Sequence, residues 1–306
     1  DERLALIAPR VQADPARSDT SSLVRFEKVR NPLDLGDRRA RIRAGTRVSY
    51  VPAAALVCRV AALREVDGFD PELRLGEDVD LVWRLDAAGW RCRYEPSVSV
   101  FHSVRGDVRS WIRQRVGYGS SATALAQRHG DVVAPVRLPT AAAASWTAFA
   151  LGLPLLGATA AAASAIALDR RLPDVPERHR EAARLSGLGQ VHAASVLASG
   201  ATRTWWPASL LAALVSTRAR RVLVAAIVVP TLFDWWKVRR SIDLGRFAAL
   251  RILDDAAYGA GVWKGAFEGR SFAALRPRLT DTESVRALFA GWLGRATSPE
   301  RAPSRR

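Results

Sequence analysis

The sequence predicts an α/β domain followed by an α-helical, membrane-associated region. Three observations predict it. Up to about residue 135, Val-rich alternating runs are interleaved with segments of helical period and punctuated by Gly and Pro. From Ala141 to Leu168 no charged residue occurs, and that run exceeds the ~20 apolar residues that a membrane helix needs. Between Trp205 and Trp236 a second apolar zone is cut by Arg218, Arg220 and Arg221. The expected division is 1–135 for the mixed domain and 136–306 for the helical region.

Taken in order, Leu4–Ala8 reads as a strand. Residues 13–47 are polar and basic, with Asn31-Pro32 and Gly36-Asp37 as turn signals. Val48–Cys58 reads as a strand region, and Ala61–Val66 as a short helix ending at Gly68. From Asp78 to Ala88, Val79, Val82, Trp83 and Leu85 mark one face of a helix, with Gly89 at the usual stop position. Arg91–Phe101 alternates as a strand does. Trp111–Gln127 has helical character, interrupted by Gly117 and Gly119.

In the second region, Gly152, Pro154 and Gly157 sit inside the uncharged run, so a kinked span, a re-entrant hairpin and a buried Ala-rich helix pair all fit it. The zone from Trp205 to Trp236 does not suit one continuous span, because an arginine at a bilayer centre costs about 2.5–3.5 kcal/mol or more. An interfacial helix pair suits it better, with Trp205, Trp206, Trp235 and Trp236 at headgroup level and the arginines facing lipid phosphates. The Arg/Pro/Ser-rich tail from Thr297 is expected to be disordered.

The chain has 306 residues, with 46 Lys+Arg against 30 Asp+Glu and a formal charge of +16. Such a balance favours anionic partners without choosing among them. The tryptophans cluster with apolar runs rather than between basic residues, which speaks against a nucleic-acid platform. The two cysteines, Cys58 and Cys92, build neither a disulfide framework nor a CxxC metal motif. The chain begins at Asp1 and holds no methionine. An upstream segment is therefore expected to be missing.

Glu77, Asp78 and Asp80 place three carboxylates at a helix start in a chain with a large positive excess. Acids there complement the helix dipole and cap free N–H groups. A carboxylate so held can also serve as a general base, taking the proton of an attacking hydroxyl. Charge alone leaves both roles open. After the next strand stands His102, as a structural residue or a metal ligand. Arg109, Arg113 and Arg115 follow around Trp111 and Gln114, as a solvated basic helix or as guanidinium forks for a diphosphate.

The surrounding residues resemble a family. Val66-Asp67-Gly68-Phe69-Asp70, Gly76-Glu77-Asp78-Val79-Asp80-Leu81, Trp83-Arg84-Leu85 and Gly89-Trp90 resemble the acceptor-side motif of family 2 glycosyltransferases, preceded by Arg59-Val60-Ala61-Ala62-Leu63. Asp67 stands where that pattern usually has Gly. The resemblance implies a GT-A-like fold, of which residues 1–135 would be the acceptor-side half, with the nucleotide-binding half and its DxD motif upstream. Asp14, Asp19, Asp34 and Asp37 do not supply that motif. It implies Asp78 as catalytic base, Glu77 as its neighbour at the acceptor, Asp80 as a helix-start residue, and His102 as a ligand of Mn²⁺ or Mg²⁺. The run Arg113-Gln114-Arg115 departs from the QxxRW motif of processive members, which leaves the choice of phosphate-binding arginine open.

Ser49-Tyr50-Val51-Pro52, Arg115-Val116-Gly117-Tyr118-Gly119-Ser120-Ser121 and Asp254-Asp255-Ala256-Ala257-Tyr258-Gly259-Ala260-Gly261 resemble a branch of the family, the glycosyltransferases of the mycofactocin system. This likeness implies an inverting enzyme using a UDP-sugar donor, with a mycofactocin precursor as acceptor and Tyr50, Arg113, Gln114 and Arg115 at the substrates. The apolar zones imply membrane lipid as a partner, the tryptophan pattern no nucleic acid, and the expected place is the cytoplasmic face of the bacterial inner membrane. The alternatives are a non-catalytic membrane scaffold or inactive paralogue and, at a further remove, a basic nucleic-acid-binding protein. Arg38, Arg39, Arg41 and Arg43 are expected in a solvated loop.

Overall fold

The computed structural model describes residues 2–14, 21–173 and 176–281. Its first strand, β1 (Leu4–Ala13), is followed by helix α1 (Ser22–Val29) and strands β2 (Ala40–Ile42) and β3 (Val57–Cys58). Helices α2 (Val60–Glu65) and α3 (Glu77–Ala87), strand β4 (Arg91–His102) and helix α4 (Val108–His129) come next. The sheet order is β2-β4-β1-β3. Its central pair, β1 and β4, is parallel, and the two short edge strands are antiparallel to their neighbours. The register of the central pair shifts between Pro9 and Arg10, opposite the stretch from Glu95 to Ser99 that contains Pro96. Proline has no N–H for the ladder, which accounts for the break.

Helix α3 forms where its pattern places it. Leu81, Val82 and Leu85 are buried with Leu6, Ile42, Cys92 and Tyr94 in the sheet core. Gly89, just beyond the helix, has φ +85°. The strand expected over Val48–Cys58 is only Val57–Cys58, paired with Ile7 and Leu6. The rest is an irregular loop whose Val51 and Pro52 are buried. Asp67 has φ +56° and Gly68 φ +62°. The turn thus demands left-handed backbone, which Gly adopts freely and Asp tolerates. Arg84 ties that turn to α3: its Nη2 donates to Gly68 O at 2.7 Å and its Nε to Asp80 Oδ2 at 2.7 Å.

The polar stretch 13–47 holds a helix that its composition hid. Ser21 caps α1 by accepting from Val24 N, and Leu23 and Phe26 join Trp111, Ile242 and Phe247 in a second core. The basic cluster is partly structured: Arg41 lies in β2 and pairs with Asp86 at 2.7 Å, and Arg39 pairs with Glu95 at 2.8 Å.

The later elements are β5 (Arg137–Leu138), α5 (Thr140–Ala150), α6 (Pro154–Asp169), α7 (Arg178–Ser199), α8 (Trp206–Val215), α9 (Thr217–Val238), α10 (Leu244–Glu268) and β6 (Arg278–Leu279). A π-helical turn, Gly200–Thr204, follows α7. By contacts the chain divides into two units. One joins the described residues up to Pro135 with Ala198–Arg276; the other holds Val136–Leu197 and the described residues from Pro277. The region 136–306, expected as one helical part, is thus shared between the two.

In the first unit α4 runs unbroken through Gly117 and Gly119. Those glycines permit close packing rather than a bend. A Cβ at Gly119 would overlap the carbonyl oxygen of Tyr258 in α10, and one at Gly261 would overlap that of Val116. In the second unit α5 and α6 form a hairpin about Leu151-Gly152-Leu153, where Gly152 has φ +75° and Pro154 opens α6. Ser145 Oγ closes it by donating to Gly157 O at 2.8 Å. Among the described residues no helix is long and apolar enough to cross a membrane. Of the four tryptophans expected at headgroup level, Trp205 donates to Leu275 O and Trp235 to Ile242 O. The tail from Thr297, and Asp19, lie outside the described residues.

Candidate active site

Asp78 occupies the first turn of α3, after Gly76, whose φ of +83° turns the chain into the helix. A side chain at Gly76 would press on Ser121 and Leu125 of α4. Gly76 therefore serves both the turn and the packing. The Asp78 carboxylate accepts from Val79 N at 2.8 Å and from Ala53 N at 3.1 Å, the second donor lying in the loop before β3. Burial raises its pKa above the ordinary carboxylate value; these hydrogen bonds oppose the rise and the neighbouring Glu77 adds to it. A carboxylate so tuned holds a proton more readily than a solvated one, which suits a base.

Tyr118 and Tyr258 both lie within electrostatic reach of Tyr50, and Asp78 acts on Tyr50 and Tyr118. Burial pushes the Tyr50 hydroxyl up to about 12, with Tyr258 and Asp78 adding to the rise and Arg203 opposing it. Tyr50 is therefore a protonated donor at any ordinary pH. Tyr118 is also raised, chiefly by burial, with Arg115 and Arg105 opposing. Its hydroxyl accepts from Gln114 Nε2 at 2.8 Å. Arg203 stands on the π-helical turn with its guanidinium 3.9 Å from the Tyr258 ring centroid.

The sequence-derived residues divide. Asp78, Glu77 and Tyr50 come together, and Gln114 reaches the site through Tyr118. Arg113 is exposed on α4. Arg115, expected as a phosphate clamp, is buried at 2% exposure. Its Nη2 donates to Glu27 Oε1 and its Nε to Asp254 Oδ1, both at 2.5 Å. Glu27 also accepts from Trp111 Nε1 at 2.8 Å. Burial raises Glu27's pKa and Arg115 pulls it back. Arg115 is thus a buried structural tie between α1, α4 and α10. Asp80 is likewise buried, bonded to Arg84 and at 2.8 Å to His129 Nε2. Tyr118, Arg203, Tyr258 and the exposed Arg105 were not singled out from sequence as site residues. The only signal was the motif runs that contain the two tyrosines.

His102 is exposed at the end of β4. Among the described residues no group of three His, Cys, Asp or Glu side chains could hold a metal ion.

A helix-start carboxylate with half-buried tyrosines within its electrostatic reach, beside a parallel-centred sheet, is a site able to take the proton of an attacking hydroxyl. The chain belongs to glycosyl transferase family group 2, whose family model matches residues 16–237. It is 40% identical over 291 residues to the pre-mycofactocin glycosyltransferase of Mycobacterium tuberculosis, found in two strains, covering 91% of this chain and 61% of that protein. The chain thus spans about three fifths of the length of these curated relatives. It is also 39% identical over 75 residues to the N-acetylglucosaminyl-diphospho-decaprenol L-rhamnosyltransferase of the same species, covering 24% of each chain. No solved structure matches it.

Proposed function

We propose that the protein carrying this chain is an inverting glycosyltransferase that moves glucose from a UDP-sugar to a hydroxyl of the mycofactocin precursor. The observation that carries the reading is the Asp78 carboxylate, fixed by two backbone N–H groups, with Tyr50 and Tyr118 within its electrostatic reach. The acceptor oxygen attacks the anomeric carbon as its proton passes to Asp78. The bond from that carbon to the diphosphate oxygen breaks, and the diphosphate leaves with the electron pair. A single displacement of this kind inverts the anomeric centre. Glu77 and the protonated Tyr50 orient acceptor hydroxyls. Arg105, which acts on Tyr118, and Arg113 are exposed guanidinium groups suited to phosphate oxygens. The 40% identity to a pre-mycofactocin enzyme supports the acceptor, and the family supports the donor class.

The same reading places the protein against lipid on the cytoplasmic face of the inner membrane. Leu214 and Val215 of α8 are 75% and 88% exposed near Arg220, which bonds to Ala213 O, and Phe233 of α9 is 67% exposed under Lys237. Apolar side chains edged by basic groups suit an interfacial helix pair.

The test supplies UDP-glucose, Mn²⁺ or Mg²⁺ and the mycofactocin precursor to membranes carrying the protein, and reads added hexose by mass spectrometry. Hexose addition that vanishes in Asp78→Asn supports the reading. No hexose from any nucleotide sugar, or an Asp78→Asn variant as active as the parent, overturns it in favour of a scaffold.

A further inference from the structure

The start of α3 and the middle of α10 converge on one stretch of α4. Leu75 and Gly76, just before Asp78, meet α4 at Gly117 and Ser121, and the Tyr258 carbonyl of α10 lies over Gly119 between them. The loop that carries Tyr50 is pinned to α3 on both sides. Ser49 O accepts from Trp83 Nε1 at 2.7 Å, and Ala53 N donates to Asp78 at 3.1 Å. The π-helical turn is set against α10 at Gly259, where a Cβ would overlap the Arg203 carbonyl oxygen. That placement brings the Arg203 guanidinium 3.9 Å from the Tyr258 ring centroid and within electrostatic reach of Tyr50. Asp78, Tyr50, Tyr118, Tyr258 and Arg203 are all half-buried, so each keeps some surface that a substrate can touch. Arg203 is nevertheless not a free cation. Its Nη1 lies 3.4 Å from Asp255 and 4.0 Å from Asp254, both buried carboxylates. A diphosphate recruits guanidinium forks whose charge is not already met. A compensated guanidinium flat on a phenol ring offers a planar surface instead.

We propose that Arg203 and Tyr258 form the acceptor-binding wall of the Asp78 site, taking the flat face of an uncharged ring on the acceptor while the Tyr50 hydroxyl donates to one of its oxygens. The inference rests on the reading of Asp78 as the base that takes the acceptor's proton. The charges around the site select an uncharged ring. Glu77 and Asp78 repel an anionic acceptor at close range, and the Arg203 guanidinium repels a cationic one. The phenol hydroxyls of Tyr50, Tyr118 and Tyr258 are neutral partners for hydroxyl or carbonyl oxygens, and that of Tyr118 is already oriented by Gln114 at 2.8 Å. Planar groups on both sides suit a ring, since guanidinium and phenol planes stack on flat faces. By this arrangement the start of α3 supplies the base, and the helices after Ala198 decide which acceptor it serves.

The test uses the full protein carrying this chain, with UDP-glucose and the mycofactocin precursor, and measures KM for each substrate separately. Tyr258→Leu keeps bulk beside α4 and removes the planar ring. Arg203→Lys keeps the charge and removes the planar guanidinium. Each should raise KM for the precursor about three- to tenfold and leave KM for UDP-glucose within about twofold of the parent. Tyr258→Phe, which keeps the ring, should restore the parent value. A purely structural role would move both constants together or lower only the amount of folded enzyme. In the unaltered protein, saturating precursor should shield Arg203 from phenylglyoxal, mapped by mass spectrometry, and UDP alone should not. This arm stands even where a variant does not fold. An unchanged precursor KM in folded variants, a raised KM for UDP-glucose instead, or shielding by UDP rather than by precursor overturns the wall and leaves the transferase standing. No hexose transfer by the parent, or full transfer by Asp78→Asn, removes the transferase reading and this inference with it.

Discussion

The guanidinium of Arg203 stacks on the ring of Tyr258 at 3.9 Å while its Nη1 lies 3.4 Å from Asp255 Oδ1. Through this pair the helices after Ala198 contribute to a site whose carboxylate lies more than a hundred residues earlier. Arg203→Ala removes the stack and leaves buried Asp255 with less compensation. A destabilisation of about 1–3 kcal/mol is expected, seen in the urea midpoint. Arg203→Lys keeps the charge without the planar stack and should recover part of it. Hexose transfer should fall in both, more in the alanine variant.

The pH dependence follows from Asp78. A base must be deprotonated to act, so transfer should fall as pH drops through the pKa of Asp78. Because that pKa is raised, the acid limb should lie above the ordinary aspartate value of about 3.9. Glu77 contributes to the rise, so Glu77→Gln should move the limb to lower pH whatever it does to the maximum rate. A limb that stays in place would show that Asp78 does not govern it. Asp78→Asn itself should lose on the order of 10²–10⁴ in rate, with an unchanged far-ultraviolet circular dichroism spectrum.

Tyr50 gives a different signature. Its hydroxyl, held near 12, stays protonated throughout the assay range. Tyr50→Phe should therefore lower transfer about two- to tenfold, the worth of one hydrogen bond, and leave both limbs of the pH profile where they are. A displaced limb would mean that Tyr50 titrates in the reaction.

Arg115 should behave as an interior tie. Arg115→Ala leaves Glu27 and Asp254 as buried carboxylates without their shared cation. The expected loss is about 3–5 kcal/mol, read from denaturant unfolding. Arg115→Lys should rescue little, because one ammonium cannot span Glu27 and Asp254 as the two guanidinium nitrogens do. A stable Arg115→Ala protein with a raised KM for donor would instead restore the phosphate-clamp role.

The crossing of α4 and α10 leaves no room at Gly119. Gly119→Ala places a methyl against the backbone of Tyr258 and Val262, which cannot move as a side-chain end can. An overpacking cost of about 1–3 kcal/mol or more is expected. Because Tyr258 moves with it, transfer should fall at temperatures well below unfolding. Gly89→Ala, where nothing stands within 4 Å, should cost only backbone strain at its positive φ.

Several of these groups were legible in the sequence. The carboxylates of the Gly76–Leu81 motif could be found because they sit next to one another on one helix start. The apolar period of α3 and the alternation of β4 could be found for the same reason: both are local. Helix α1 was hidden because its buried residues, Leu23, Val24 and Phe26, are embedded in a polar and basic stretch, and their packing partners Trp111, Ile242 and Phe247 are distant in the chain. The role of Arg115 was misread for a related reason. An arginine beside Gln and Trp looks like a ligand-binding group until Glu27 and Asp254 are seen to enclose it.

The sequence by itself determined the family, the acidic helix start that carries Asp78, and the helix stop at Gly68. Each depends on residues within about one helical turn or one motif of each other, where spacing and backbone preference suffice. Only the tertiary structure decided that Arg203 and Tyr258 stand with Tyr50 near Asp78, that Arg115 is buried, and that residues 198–276 join the first 135. Those outcomes depend on how closely α10 approaches α4, and that approach is set by glycines whose missing side chains act on a partner more than a hundred residues away.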